Sequence, residues 1–105
     1  MKESEWKIFK QIKAKAIERF CVESLEEYKE VINDQTENAH NRYLLLYKLV
    51  VNRDKQMSLL FDGHSRSKAL VQLIAIRAEG LADENLLNKL SDEFLKATDP
   101  RRHGL

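Results

Sequence analysis

The chain has 105 residues, 43% of them hydrophobic and 33% charged, with a formal net charge of +1. This length suits one domain with one core, spanning residues 1–105, and the hydrophobic content excludes a disordered chain. Three glycines and one proline are too few for a turn-rich β fold, so the composition favours helices. We predict a single all-α domain, a compact bundle of four or five helices.

The small net charge conceals segments of opposite sign. Residues 21–40 carry one cation and six anions, whereas residues 41–77 carry seven cations and two anions. Such alternation suits antiparallel neighbours that attract one another, within one chain or across a dimer. It does not produce the uniformly basic body of a general nucleic-acid binder.

Cysteine usage and hydropathy bear on location. Cys21 is the single cysteine, so no intrachain disulfide can form, and the start "MKESEWK" has no apolar signal-peptide core. We therefore expect a reducing, cytoplasmic location. The longest apolar run, residues 43–51, contains Lys48 and is far shorter than the roughly 20 residues of a membrane span. No membrane association is expected.

Helical periodicity begins near the start of the chain. Four apolar residues form one stripe: Phe9, Ile12, Ala16 and Phe20. This stripe predicts a helix over residues 4–21. Three later residues do not continue that stripe: Leu25, Tyr28 and Ile32. The sequence "SLEE" (24–27) has the pattern of a capping box. We therefore predict that a second helix begins near Ser24 and ends around residues 33–36.

The next segment is the most apolar of the chain. Five residues form its apolar stripe and predict the central helix: Ala39, Tyr43, Leu46, Tyr47 and Val50. We expect the tyrosine rings to lie in the core with their hydroxyls at its rim. Arg53 and Asp54 interrupt the stripe, which predicts a kink or break at residues 52–55. The alternative is an α+β fold with a β-hairpin at about 43–61, although "NRDK" lacks the Asn-Gly or Asp-Gly turn signal.

The last third of the chain predicts two more helices. A fourth helix follows Gly63 and ends at Gly80, which can adopt the left-handed C-cap conformation. Asp83 then caps a fifth helix that continues to about Leu95 and stops before Pro100. Residues 99–105 are predicted to be a frayed tail.

Little in the sequence indicates catalysis or a metal. Cys21 lacks the surroundings of a nucleophile, and Glu37 with His40 forms one Glu-x-x-His, whereas a di-iron bundle needs two. A helix-turn-helix over residues 80–95 would place an acidic helix against DNA. We predict no catalytic residue, no metal and no cofactor. Cys21 is typical of a small buried apolar group, and His40 of a residue that caps or hydrogen-bonds with the preceding turn.

One segment, "GHSRSK" (63–68), conflicts with the local rules. Gly63 can end one helix and the serines can cap the next. Arg66 and Lys68 then lie at the positive end of the helix dipole, where each cation costs roughly 0.3–1 kcal/mol of stability. A bound anion would reverse that sign. The predicted anion- or partner-binding residues are His64, Ser65, Arg66, Ser67, Lys68 and Arg77.

These features predict a small cytoplasmic protein-interaction or regulatory module with no catalytic activity of its own. Its charge-segmented faces would select a protein partner or a second copy in a homodimer. The alternative function is binding of nucleic acid or of a phosphate-containing or acidic ligand through the helix start at 64–68. Nucleic acid is the less favoured of these ligands because the basic residues form no continuous stripe.

Overall fold

The protein is built entirely from helices. The computed structural model describes all residues, Met1–Leu105. Three long helices form its body: α1 (Glu3–Ile32), α2 (Ala39–Phe61) and α3 (Arg66–Ala78). The short helices α4 (Glu84–Leu87) and α5 (Asp92–Ala97) and a 3-10 turn (Pro100–His103) follow. The all-α prediction is confirmed, and the alternative β-hairpin at 43–61 is wrong because α2 is helical throughout.

The first helix continues past the predicted break at Ser24, so that prediction is wrong. The Ser24 hydroxyl donates to the carbonyl of Phe20, 2.8 Å away, a bond made inside a helix with the residue four positions earlier. The change of apolar phase is instead a change of face. At about 100° per residue, the stripe from Cys21 to Ile32 lies roughly 140° around α1 from the stripe of Phe9 to Phe20.

The hydrophobic core lies at one end of the molecule. Its buried side chains come from the first two thirds of α1, from the end of α2, from α3 and from the segment 81–90. They are Trp6, Phe9, Ile12, Ala16, Phe20, Phe61, Ala69, Leu73, Ile76, Leu81, Ala82, Leu86, Leu87 and Leu90. Only Phe61 of α2 is buried. The prediction that α2 is the central helix is therefore wrong, since α1 and the segment 81–90 supply ten of the fourteen core residues.

The second half of α1 and most of α2 form a two-helix hairpin that extends away from this core, in a molecule measuring 53 × 25 × 23 Å. No apolar residue between positions 21 and 60 is buried. Polar contacts join the two helices, since Arg53 pairs with Glu27 and Arg42 Nη1 donates to the carbonyl of Ile32, 2.6 Å away. The hairpin therefore has little apolar interior of its own.

The end of the chain is attached to the core by capped turns. Asp83 Oδ1 accepts from the N–H of Leu86, 3.0 Å away, as predicted, and Ser91 Oγ accepts from the N–H of Phe94, 3.2 Å away. Because Ser91 starts a new helix, the predicted fifth helix is two short ones. Hydrogen bonds from Arg101 to Asp99 lower the pKa of that carboxyl to about 2, and the tail predicted to be frayed contains a 3-10 turn with exposed side chains.

We expect Leu73→Ala to lower the free energy of unfolding by about 2–5 kcal/mol, because Leu73 is completely buried and its truncation leaves a cavity. The matched control is Val71→Ala in the same helix, whose side chain is largely exposed. That control should change stability by no more than about 0.5 kcal/mol. Urea denaturation of both variants measures the difference, and equal losses would contradict the placement of the core.

Candidate functional site

The start of α3, where the sequence predicts an anion site, packs against the first turns of α1. The Arg66 guanidinium lies 5.6 Å from the centroid of the Trp6 ring and pairs with the carboxylate of Glu3. The His64 ring lies 5.8 Å from the same indole. A carboxylate and an aromatic face therefore offset the unfavourable position of Arg66 on the α3 dipole.

The other predicted residues of this turn are exposed and adjacent. Ser65 is the N-cap residue of α3, as predicted, but its side chain accepts no backbone N–H, and its hydroxyl lies 3.1 Å from that of Ser67. Lys68 folds across Gly63, where an added Cβ would lie 2.7 Å from Cδ of Lys68. With a φ of 88°, Gly63 also occupies the left-handed region that favours glycine. Residues 64–68 thus come together, and ligand binding there remains a prediction.

Arg77, the sixth predicted site residue, is not part of this cluster. It lies eleven residues further along α3, about 16 Å from Arg66 along the helix axis. Its Nη1 donates to the carbonyl of Leu95, 2.7 Å away, and to Oγ1 of Thr98, 2.9 Å away. The structure shows Arg77 fastening the C-terminal segment to α3.

Sequence reasoning missed Lys13, whose side chain is buried among the α1–α3 contacts. Its Nζ donates to the carbonyl of Gly63, 2.7 Å away, and to Oε1 of Gln72, 3.4 Å away. Burial lowers the pKa of Lys13, and the neighbouring Lys68 lowers it further, whereas Asp62 opposes both. The available signal was position, because Lys13 follows Ile12 at the margin of the buried stripe.

Most of the exposed large hydrophobic side chains lie on the hairpin. We define the hairpin face as eight side chains spaced three, four or seven residues apart on two adjacent helices: Cys21, Leu25, Tyr28 and Ile32 of α1, with Tyr43, Tyr47, Val50 and Met57 of α2. Leu25 is 60% exposed, Tyr43 70% and Tyr47 66%, so the prediction that these tyrosine rings lie in the core is wrong. A shallow groove of about 250 Å³ runs between the two rows.

The two sides of the hairpin differ in what covers them. The groove on the hairpin face is lined by residues of α1 and α2 alone, from Phe20 to Met57. The groove on the other side also includes Glu79 and Leu81, from the connection between α3 and α4. The connection between α3 and α4 therefore lies on that other side, whereas only α1 and α2 line the groove of the hairpin face.

The largest cleft, about 660 Å³, lies between the start of α1 and the segment 91–97. Two of the charged side chains that line it, Glu5 and Arg66, already have partners within the chain. Glu5 Oε1 accepts from the N–H of Ser91, 3.3 Å away, and hydrogen bonding to Ser91 lowers the pKa of Glu5, while Arg66 is paired with Glu3.

No three His, Cys, Asp or Glu side chains lie close enough together to hold a metal ion. None of the helices combines the length and the apolar character that a bilayer span requires. Comparisons with protein-family models, with curated proteins and with solved structures find no match to this chain.

We expect the stability of the protein relative to a Lys13→Met variant to rise between about pH 7 and about pH 11. The pKa of Lys13 is lower in the folded protein than the ordinary lysine value of about 10.4. At a pH between these two pKa values, the unfolded chain binds more protons than the folded protein, so stability rises with pH. Raising the pH through this window removes the cost of burying the cation. Urea denaturation at both pH values measures the change.

The control for that experiment is Lys7→Met, which removes an exposed lysine from the same helix. Its stability relative to the unmodified protein should stay constant over the same pH range. A parallel response of both variants would contradict the burial of the Lys13 amine.

Proposed function

We propose that the protein is a cytoplasmic interaction or regulatory module that binds another protein chain through the hairpin face and catalyses no reaction itself. The observation that carries this proposal is the pair of apolar rows on adjacent helices, five of whose eight side chains are exposed, beside a groove lined by α1 and α2 alone. Contiguous apolar patches of this kind mark interaction surfaces more often than single exposed residues do.

The composition of the face supports binding to protein. Tyrosine is enriched at protein interfaces because it combines a large apolar ring with a hydroxyl that can remain hydrated. Tyr28, Tyr43 and Tyr47 are all on the hairpin face, and Met57 adds an unbranched side chain that adapts to irregular surfaces. Two parallel rows of such side chains present a groove that another helix can fill.

Cys21 gives a direct probe of this proposal, because the single thiol lies in the groove of the hairpin face. We expect a maleimide reagent to label Cys21 more slowly in cell lysate than in dilute purified protein. The introduced carboxylate of Tyr47→Glu should restore fast labelling, because it opposes burial of the face against a partner.

The matched control is Leu59→Glu, on the same helix, where the side chain is 85% exposed but lies on the opposite side of the hairpin. Protection of Cys21 should persist in this variant. Equal labelling rates in lysate and buffer, or equal effects of the two substitutions, would contradict the proposed role of the hairpin face. Circular dichroism checks that both variants keep their helix content.

A second proposal is binding of a phosphate-containing or acidic ligand at residues 64–68. The observation that favours it is the uncapped first turn of α3 beside two serine hydroxyls and Lys68. The pairing of Arg66 with Glu3 weighs against it, since the guanidinium that would meet the anion is already engaged. Nucleic acid is a weaker form of the same proposal.

If that second proposal holds, inorganic phosphate at millimolar concentration should shift the amide NMR signals of residues 64–69. The shifts should shrink in Lys68→Gln and persist in Lys89→Gln, which removes an exposed lysine from a different part of the surface. Unchanged amide positions throughout the titration would exclude an anion site at this helix start.

A further inference from the structure

We infer that the side of the hairpin opposite the hairpin face is a second docking surface, which takes a basic amphipathic helix of a partner protein. We call it the acidic side and define it by two grooves. Glu23, Leu59 and Glu79 line one groove, of about 170 Å³. Glu30, Asp34, Glu37 and Leu45 line the other, of about 520 Å³. A partner bound there would leave the hairpin face free.

Helical spacing places both grooves on the same side of the hairpin. Glu23 and Glu30 are seven residues apart on α1, so they lie about 20° apart around that helix. Leu45 and Leu59 are fourteen residues apart on α2 and lie about 40° apart. At 1.5 Å per residue, these leucines are about 21 Å apart along the helix axis. The acidic side therefore extends over about four helical turns.

Apolar side chains in both grooves remain in contact with water. Leu59 is 85% exposed, and Leu45 is 49% exposed. Leu60 and Leu81 line the same groove as Leu59, and Val31 lines the same groove as Leu45. A groove of this kind between two helices accepts the apolar face of a third helix. Removing the two leucines from water would supply binding free energy.

The carboxylates of this side are not neutralised by cations of the chain. Residues 21–40 contain six anions, of which Glu26 pairs with Lys29 and Glu27 pairs with Arg53. The other four form no ion pair, and all four line the grooves: Glu23, Glu30, Asp34 and Glu37. Glu79, which follows α3, adds a fifth unpaired carboxylate. Negative charge without counter-ions is therefore concentrated along these grooves.

The cations that line the grooves are already engaged. Arg53 pairs with Glu27, and Arg42 Nη1 donates to the carbonyl of Ile32. Three exposed cations share this side by helical spacing but line neither groove: Arg19, Lys48 and Lys55. The two grooves are lined by five anions and two cations, whereas the groove of the hairpin face is lined by one of each, Arg53 and Asp54. Only the grooves of the acidic side have a net negative lining.

These charges specify the chemistry of the occupant. Unpaired carboxylates beside apolar grooves complement a helix whose apolar side chains are flanked by lysine or arginine. The same carboxylates would repel the phosphates of nucleic acid and an acidic protein surface. A basic amphipathic helix therefore satisfies both the apolar and the charged groups of the acidic side.

A synthetic helical peptide of leucine and lysine, about five turns long and with its leucines on one face, is the probe. A second peptide of the same composition has its leucines spread around the helix. Isothermal titration calorimetry should show micromolar binding of the first peptide to the purified protein, and binding weaker by about tenfold or more for the second. No binding of the first peptide, or equal affinity of the two, would overturn the inference.

Charge reversal tests whether the acidic side is the binding site. Glu23→Lys/Glu30→Lys should weaken binding of the first peptide by about tenfold or more, because two attractive contacts become repulsive. The matched control is Glu18→Lys/Asp54→Lys, which changes the net charge equally on the side of the hairpin face. There Glu18 lies seven residues before Leu25 on α1, and Asp54 lines the groove.

The control should change the affinity by no more than about twofold at about 0.15 M salt, where long-range attraction is screened over about 8 Å. Equal losses in the two double variants would mean that net charge alone attracts the peptide, and no docking surface on the acidic side would then be needed.

Apolar substitutions distinguish the two sides of the hairpin. Leu59→Ser should weaken peptide binding by about threefold to tenfold, because a leucine that the peptide buries is lost. Leu25→Ser alters a leucine of the hairpin face that is 60% exposed and should leave the affinity unchanged. The reverse result would place the peptide on the hairpin face and contradict a second surface. Circular dichroism checks that every variant keeps its helix content.

The two surfaces should be inactivated separately. Tyr47→Glu should expose Cys21 to maleimide in lysate without weakening peptide binding. Glu23→Lys/Glu30→Lys should weaken peptide binding without changing the labelling of Cys21. Loss of both activities in either variant would overturn the assignment of two separate surfaces, whereas loss of Cys21 protection alone would bear only on the hairpin face.

Discussion

The structure depends on a difference in length between the helices that share the core. At 1.5 Å per residue, the 30 residues of α1 extend about 45 Å, whereas the 13 residues of α3 extend about 20 Å. Since α3 and the short helices after it cover only one end of α1, the core is confined to that end. The rest of α1 contacts α2 alone, and two helices without a third layer cannot bury both sides of their contact.

The apolar pattern of α1 reflects these two surroundings. In the first half of α1, the stripe from Phe9 to Phe20 packs in the core with α3 and α4. In the second half, the stripe from Leu25 to Ile32 forms part of the hairpin face. A change of phase within one helix therefore marks the point at which the neighbours of the helix change. Polar contacts such as Glu27 with Arg53 hold the hairpin together in the absence of buried apolar groups.

Local signals predicted the helical class, the Asp83 cap and the left-handed Gly80, because each depends on a few consecutive residues. The prediction of a helix start at Ser24 was wrong because the sequence SLEE (24–27) fits both a capping box and the interior of a helix. The bond from the Ser24 hydroxyl to Phe20 decides between them. Tyr43 and Tyr47 were misplaced because periodicity identifies an apolar face without identifying what covers it.

The predicted site was only partly accessible to sequence reasoning. The cluster at 64–68 is contiguous in the chain and so could be found, but the groups that engage Arg66 lie about sixty residues earlier, at Glu3 and Trp6. Lys13 and Gly63 are likewise fifty residues apart. Long-range pairs of this kind follow from how α3 docks on α1, which no local pattern encodes.

The position of α3 in the chain also affects how the protein folds during synthesis. Residues 1–61 contain both helices of the hairpin, yet the core side chains between Ala69 and Leu90 emerge from the ribosome afterwards. The stripe from Phe9 to Phe20 therefore stays exposed until α3 and the segment 81–90 are synthesised, and the hairpin face is exposed during the same interval. A nascent chain at this stage displays apolar surface on both sides, and exposed surface of this kind makes incompletely folded chains prone to aggregate.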